Sequence, residues 1–424
     1  MTGLKSYRRD ASIPARAGER ELCPPTPDEL RALVQRHLVP AGNPAPERAE
    51  LVYARWKPGT AITAVYAVST GDGRETLVTY KRYRGDKARS IERSYEPDEH
   101  VEREASALLP FHVDVDAGAC LYALPADREL PGLARAFDLQ RTARLLAREF
   151  PGKLRWRRSS AHLLRYKPEH RAVLRLDLVL RDERDELVEA RCALRVLPPA
   201  EGERVVAARA AAFAGARARL APELVRTEPR TGLLFERWLD VETFPGDSFD
   251  HAADAGALLA RLHADAPGPR HDAPRIRQDG AELFAFEPAL AARAARLAPP
   301  PVARPSTWIH GDLHPDQVAR RRDGSGWTVL DLDAVRPGEA VEDLAAWIAD
   351  ALAARRATSL ADAGALLLAA YVRAGGREPA RDQLACYVAQ ELRERAAASL
   401  RRLEEHAVER ARELLDLAVE MEAR

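Results

Sequence analysis

The sequence predicts an α+β chain of two lobes: an antiparallel-sheet small lobe, read as duplicated, followed by a mainly helical large lobe. Three observations predict it. Runs of β-branched and aromatic residues separated by turn residues occupy residues 51–124 and again 173–238. Arg55-Trp56-Lys57-Pro58 opens the first set, and Arg165-Tyr166-Lys167-Pro168 opens the second. Beyond residue 246 apolar residues recur mostly at helical spacing. These shifts divide the chain into a flexible lead (1–25), a first sheet lobe acting as a cap (26–150), a second sheet lobe (151–245) and a helical lobe (246–424).

The lead is polar and rich in breakers. Thr26-Pro27-Asp28-Glu29 then opens a helix, with Thr26 as cap, Pro27 at the first helical position and Glu29 in the capping-box position. Residues 52–56, 62–68 and 77–83 read as strands, 100–109 as a helix and 119–124 as a short strand. Residues 138–150 read as a bridging helix. The second pass places strands at 173–180, 187–197 and 233–238, with an Ala-rich helix at 203–216. In the helical lobe, Asp247 or Ser248 caps a helix whose apolar face includes Leu258, Leu259 and Leu262. A Pro-rich loop (264–275), a short helix (281–297) and the breaker run Pro299-Pro300-Pro301 follow. Residues 360–372 and 384–423 close the chain as helices that pack on the lobe.

Composition removes several classes. The 65 Lys+Arg balance 65 Asp+Glu, so there is no excess positive charge for a broad nucleic-acid surface. The four cysteines are scattered with no Cys-x-x-Cys pair, which argues against a zinc site or a disulfide framework and for reducing cytoplasm. No signal-like leader and no run long enough to span a bilayer is visible, so no membrane partner is expected. A monomer or homodimer is expected.

The chemistry concentrates in His310-Gly311-Asp312-Leu313-His314-Pro315-Asp316-Gln317 and Val329-Leu330-Asp331-Leu332-Asp333. Residues 320–326 between them read as a hairpin turn, which would fold Asp331 back beside Asp312 and Gln317. Phosphoryl transfer from a nucleotide needs such a set. One carboxylate orients the attacking hydroxyl, and a second carboxylate with a side-chain carbonyl holds magnesium against the phosphates.

These residues resemble the aminoglycoside phosphotransferase and choline kinase family, whose fold is similar to that of protein kinases and whose loop reads H-G-D-x-x-x-x-N. The resemblance implies a bilobal protein kinase-like fold, with Asp312 as the catalytic Asp and Asp331 as a metal ligand. Gln317 stands where most members have Asn. Bacterial maltokinase-like and glucosamine-kinase-like sugar kinases carry H-G-D-x-H-x-x-Q, which His314 and Gln317 match. Cys192-Ala193-Leu194-Arg195-Val196 resembles V-A-I-K with Arg195 in the phosphate-pairing place. Glu203, with Glu201 close behind, is the carboxylate expected to orient it. Residues 233–239 resemble the last small-lobe strand and hinge, so the backbone around Glu236 and Trp238 would meet an adenine edge.

Nucleotide binding is therefore expected in the second sheet lobe, although no G-x-G-x-x-G precedes it; the turn at 167–170 is the candidate phosphate cover. In the first lobe Lys81 holds the position analogous to Arg195, with Glu102 or Glu104 on the next helix. His310 is read as a brace for the loop, His263 as a packed residue and Asp343 as a holder of loop backbone groups. The function implied is an ATP- and magnesium-dependent kinase for a hydroxyl of a sugar, amino sugar, aminoglycoside or similar polyol. The alternative is a catalytically weak pseudokinase serving as a nucleotide-binding scaffold, motivated by Gln317, Arg195 and the missing Gly-rich loop.

Overall fold

The computed structural model describes residues 9–95, 108–243, 251–264, 280–298, 306–355 and 359–423. The chain forms two units. Residues 1–203, 224–238 and 400–407 make the first, and residues 204–223, 239–399 and 408–424 make the second.

The first unit contains the two sheets. Strands β1 (Pro46–Lys57), β2 (Ala61–Thr70), β3 (Glu75–Tyr83), β4 (Phe111–Asp114) and β5 (Ala119–Ala123) pair antiparallel in the order β1-β2-β3-β5-β4. The second sheet has β6 (Lys153–Leu154), β7 (Ser160–Lys167), β8 (Arg171–Arg181), β9 (Leu187–Val196), β10 (Leu224–Glu228) and β11 (Leu233–Arg237). Setting aside the two-residue β6, its order β7-β8-β9-β11-β10 repeats that of the first sheet. The registers repeat too. Arg55 lies opposite Thr63 and Thr63 opposite Lys81, just as Arg165 lies opposite Val173 and Val173 opposite Arg195. The duplication read from the Arg-aromatic-Lys-Pro tetrads is thus a repeat of topology and register, with Lys81 and Arg195 at equivalent places.

Each tetrad ends in a tight turn with a residue in the left-handed region, Gly59 (φ 65°) in the first and Glu169 (φ 61°) in the second. A carboxylate from elsewhere fixes each turn. Glu19 accepts from Trp56 Nε1 at 2.8 Å and from the Gly59 N–H at 2.6 Å. Asp127 accepts from the Tyr166 hydroxyl at 2.9 Å and from the Glu169 N–H at 2.8 Å.

The two sheets are not separate lobes. β8 alternates buried and half-buried along its length, and Leu174, Leu176 and Leu178 on its buried face share one core with Val65 and Leu77 of the first sheet and with Leu194 and Phe235. The division between residues 150 and 151 expected from the sequence therefore cuts through a continuous apolar core. The lead is likewise docked from residue 9 onward: Ile13 and Leu22 are fully buried, and Glu19 is the turn anchor just described. The Thr26–Glu29 capping box forms as expected, and Asp138 caps the bridging helix Leu139–Leu146.

The second unit is mainly helical. Helices Ala252–His263 and Leu360–Arg373 cross closely, since a Cβ on Gly256 would stand 2.2 Å from the Leu367 carbonyl oxygen. Ala340–Ala353 is buried along most of its length. Three strands, β12 (Val241–Thr243), β14 (Val318–Arg321) and β15 (Trp327–Val329), form one small sheet; β13 (Thr307–Ile309) and β16 (Arg336–Gly338) form another. The helix expected over 281–297 is two short ones, Ala281–Phe284 and Pro288–Ala294. The run at 384–423 is interrupted between helices Arg381–Arg401 and Ala407–Ala423, where Leu403 and His406 take positive φ. The expected helix at 100–109 falls largely outside the described residues, with Glu102 and Glu104; so do the Asp247 and Ser248 caps, most of the loop at 264–275 and Pro299-Pro300-Pro301. All four cysteines are free, and among the described residues no helix is long and apolar enough to cross a membrane.

Candidate active site

The expected hairpin is present. β14 and β15 pair with Val318 opposite Val329, and the Leu330 N–H donates to the Gln317 carbonyl at 2.8 Å. Gln317 thus lies directly beside Leu330, and Asp331 is the next residue. Asp331 takes a left-handed backbone (φ 56°) and opens a short 3-10 turn, Leu332–Ala334. Left-handed geometry at a non-glycine residue costs about 1 kcal/mol or more, and such residues concentrate at functional sites.

The segment at 310–314 is fixed by Asp343 in the helix Ala340–Ala353. Its carboxylate, 1% exposed, accepts from the His310 N–H at 2.7 Å and the Gly311 N–H at 2.9 Å. It also meets His263 Nε2 at 3.0 Å, while His263 Nδ1 pairs with the Tyr371 hydroxyl at 3.2 Å. Burial pushes the Asp343 carboxyl up, but His263, His310 and the Gly311 N–H outweigh it and hold the group below its ordinary range. The His310 side chain pairs through Nε2 with the Leu330 carbonyl at 2.8 Å. One buried carboxylate and one buried imidazole thereby tie the loop to the helix on one side and to the hairpin on the other. Gly311 (φ 81°) is pressed under the 332–334 turn, since a Cβ there would stand 2.4 Å from the Ala334 carbonyl oxygen. The structural readings of His310, His263 and Asp343 agree with these contacts. Tyr371 was missed, because nothing near it in sequence marks a hydroxyl reaching back to residue 263.

Asp312 is exposed, so its carboxylate is open to solvent. Gln317 is 3% exposed; its Oε1 accepts the His314 N–H at 3.1 Å, and its buried Nε2 has no partner among the described residues. Burial lowers the His314 imidazole below its ordinary range, against the pull of Asp312, which leaves it neutral near pH 7. Among the described residues no three His, Cys, Asp or Glu side chains converge as a metal cluster.

In the first unit, Arg195 is buried on β9, and Glu236, also buried, lies on the same face of β11, since Leu234 faces Arg195 and Glu236 faces Ala193. β11 pairing ends at Arg237, and the chain leaves the first unit after the half-buried Trp238. Glu203 does not meet its assignment. It is exposed and forms no ion pair with Arg195, because the helix Pro199–Ala212 packs through Gly202 and Val205 and turns position 203 outward. Glu201, on the same helix, is half-buried. The turn at 167–170, expected to cover phosphates, has its Glu169 carboxylate paired with Lys81 of the first sheet.

A family model described as the phosphotransferase enzyme family matches residues 169–387, just over half the chain. No curated protein sequence matches. The fold is similar to a Plasmodium vivax ethanolamine kinase, at 9% identity and a TM-score of 0.43, over 62% of this chain and 83% of that one. It is similar to choline kinase LicA from Streptococcus pneumoniae, at 14% and 0.43, over 62% and 93%. It is also similar to a macrolide 2'-phosphotransferase type I, at 20% and 0.43, over 66% and 95%. The chain belongs to the phosphotransferase enzyme family.

Proposed function

We propose that the chain is an ATP-dependent small-molecule kinase that moves the terminal phosphate to a hydroxyl of a sugar, amino sugar, aminoglycoside or similar polyol. The observation that carries this reading is the double tether of the 310–317 segment. Asp343 holds its backbone at residues 310 and 311, and the hairpin holds residue 317 beside Leu330 and Asp331. A loop fixed this way spends little ordering entropy when substrate arrives, and phosphoryl transfer is governed by positioning and charge.

In this reading Asp312, open to solvent, aligns the acceptor hydroxyl and takes its proton. Arg195 offers a forked, permanently charged donor set to phosphate oxygens. The backbone from Glu236 to Trp238, where β11 pairing stops, offers groups to the base of the nucleotide. Asp331 and Gln317 fit a hard divalent cation such as magnesium. The donor set is all oxygen, and Gln317 Oε1 keeps a second lone pair beyond the one the His314 N–H engages. A bound cation there supplies positive charge that offsets charge on the phosphoryl group.

The test is nucleotide turnover with a panel of sugars, amino sugars and aminoglycosides, beside a thermal-shift titration with ATP and magnesium. Acceptor-dependent ADP formation supports the kinase. Nucleotide binding with no turnover on any acceptor would favour the scaffold alternative.

A further inference from the structure

One face of the first sheet carries a basic cavity that the proposed kinase chemistry does not use. The registers place two cross-strand rows on that face, Arg55–Thr63–Lys81 and Lys57–Ala61–Tyr83. Their neighbours in sequence, Ala54, Trp56, Ile62 and Tyr80, are buried on the opposite side. The rows line a cavity of about 410 Å³, with Arg84 and Lys87 at its edge and the Glu169-His170 turn of the second sheet closing over it. A cavity of this size holds a small ligand rather than a lone ion.

Its charge is lopsided. Five cationic side chains line it, Arg55, Lys57, Lys81, Arg84 and Lys87, and Glu169 is the carboxylate among the lining residues. Lys81 pairs with Glu169, and Arg84 lies 3.6 Å from Glu19. Among the described residues, Arg55, Lys57 and Lys87 form no ion pair. Arg55 instead faces the His170 ring. Burial first, then Arg55, Lys167, Lys57 and Lys81, hold that imidazole down at about 4, so it stays neutral while the cations around it do not.

Like charges gathered in a half-enclosed space raise the folded-state energy unless an anion joins them. The enclosure is a built one. Glu169 sits at φ 61° where the equivalent turn of the first sheet has Gly59, and buried Asp127 pins its N–H at 2.8 Å. The second hairpin therefore holds a side-chain-bearing residue in a strained conformation with its carboxylate on Lys81. The walls add Tyr53 and Tyr83, with Lys81 Nζ 4.9 Å from the Tyr83 ring centre, so an organic body attached to the anion has apolar surface to lie on.

We propose that this cavity is a second ligand site, for a phosphate-bearing small molecule, in which Arg55, Lys57 and Lys87 take the phosphate and Lys81 is shared with Glu169. The site is complete within the first unit and does not depend on the kinase reading.

The probe is inorganic pyrophosphate, titrated calorimetrically into the full chain at constant ionic strength and without divalent cation. Three proteins are compared: wild type, Lys57→Gln/Lys87→Gln and Arg195→Gln. Both lysines are exposed, so the double variant folds, which its circular dichroism and melting curve check. The expected result is saturable binding by wild type and by Arg195→Gln, weakened tenfold or more in the double variant. A double variant that binds as wild type does, loss of binding in Arg195→Gln alone, or no binding by wild type at millimolar pyrophosphate overturns the proposal. Because Arg195→Gln reports on the proposed nucleotide site, failure of that reading and failure of this one give different patterns.

Discussion

Replacing Asp343 with Ala is the most informative way to ask whether the 310–317 segment is held as described. The carboxylate is 1% exposed and meets three donors, at 2.7, 2.9 and 3.0 Å. Hydrogen bonds to a charged group contribute roughly 1.5–3 kcal/mol each, and removing one partner from a buried charged set costs about 3–5 kcal/mol because the donors are left unsatisfied. Water entering the space recovers part of this, so the expected loss is about 3–5 kcal/mol in urea unfolding. Asp343→Asn should fall between Ala and wild type, because its one carbonyl still accepts while its amide meets a donor. His263→Ala removes one of the three donors. The double variant Asp343→Ala/His263→Ala should therefore lose less than the sum of the singles. In steady-state assays kcat should drop more than the nucleotide KM rises, because the loop is displaced and Arg195 is untouched. An Asp343→Ala protein within about 1 kcal/mol of wild type, with wild-type kcat, would refute the tether.

Three further outcomes follow from individual contacts. Gly311→Ala sets a Cβ 2.4 Å from the Ala334 carbonyl at φ 81°, so it should cost at least about 2 kcal/mol in thermal unfolding and most of the turnover; a neutral Ala would contradict the packing of the loop under the turn. Burial raises the Asp127 carboxyl to about 6, above its ordinary 3.8. A raised acid contributes stability that is fully present below pH 3.8 and is lost as pH rises through 6, on the order of 3 kcal/mol from this group. His170, held down at about 4, contributes the opposite slope in both proteins, so from pH 4 to 7 the urea midpoint of wild type should fall relative to that of Asp127→Asn, whatever the variant's overall offset; parallel profiles would count against it. Deleting residues 1–25 removes the fully buried Ile13 and Leu22 and the Glu19 anchor. At about 1.5–3 kcal/mol per buried side chain the truncated protein should lose 3 kcal/mol or more, as a calorimetric melt would show, whereas a dispensable lead would leave the melt unchanged.

What the sequence made legible was local or repeated. The Asp-Gly-Ser-Gly turn with flanking apolar residues places the β14–β15 hairpin, and the Thr26–Glu29 box starts its helix where the letters put it, because both rest on neighbours within a few residues. The two tetrads disclosed the duplication because both copies keep the residues that shape the turn. What stayed hidden depends on long separations. Asp127 reaches Tyr166 and Glu169, and Glu19 reaches Trp56 and Gly59, across about forty residues that carry no spacing signal. For the same reason the lead read as flexible, and the shared core of the two sheets read as two lobes. The edge strands Phe111–Asp114 and Leu224–Glu228 are short and only half-buried, so they lack the alternation that marks β8. In the site, Gly311 and Asp343 were legible from their motifs, but the outward turn of Glu203 was not, because two residues along a helix reverse which side faces the sheet.

Asp312→Asn carries the central claim most directly. The change keeps the size of an exposed side chain and removes its basicity, so folding and magnesium-dependent nucleotide binding should remain as in wild type. Transfer of the labelled terminal phosphate to a hydroxyl acceptor, followed in a single turnover, should slow by two to four orders of magnitude, the usual range for a general base (about 10²–10⁴). Transfer at the wild-type rate would contradict the account.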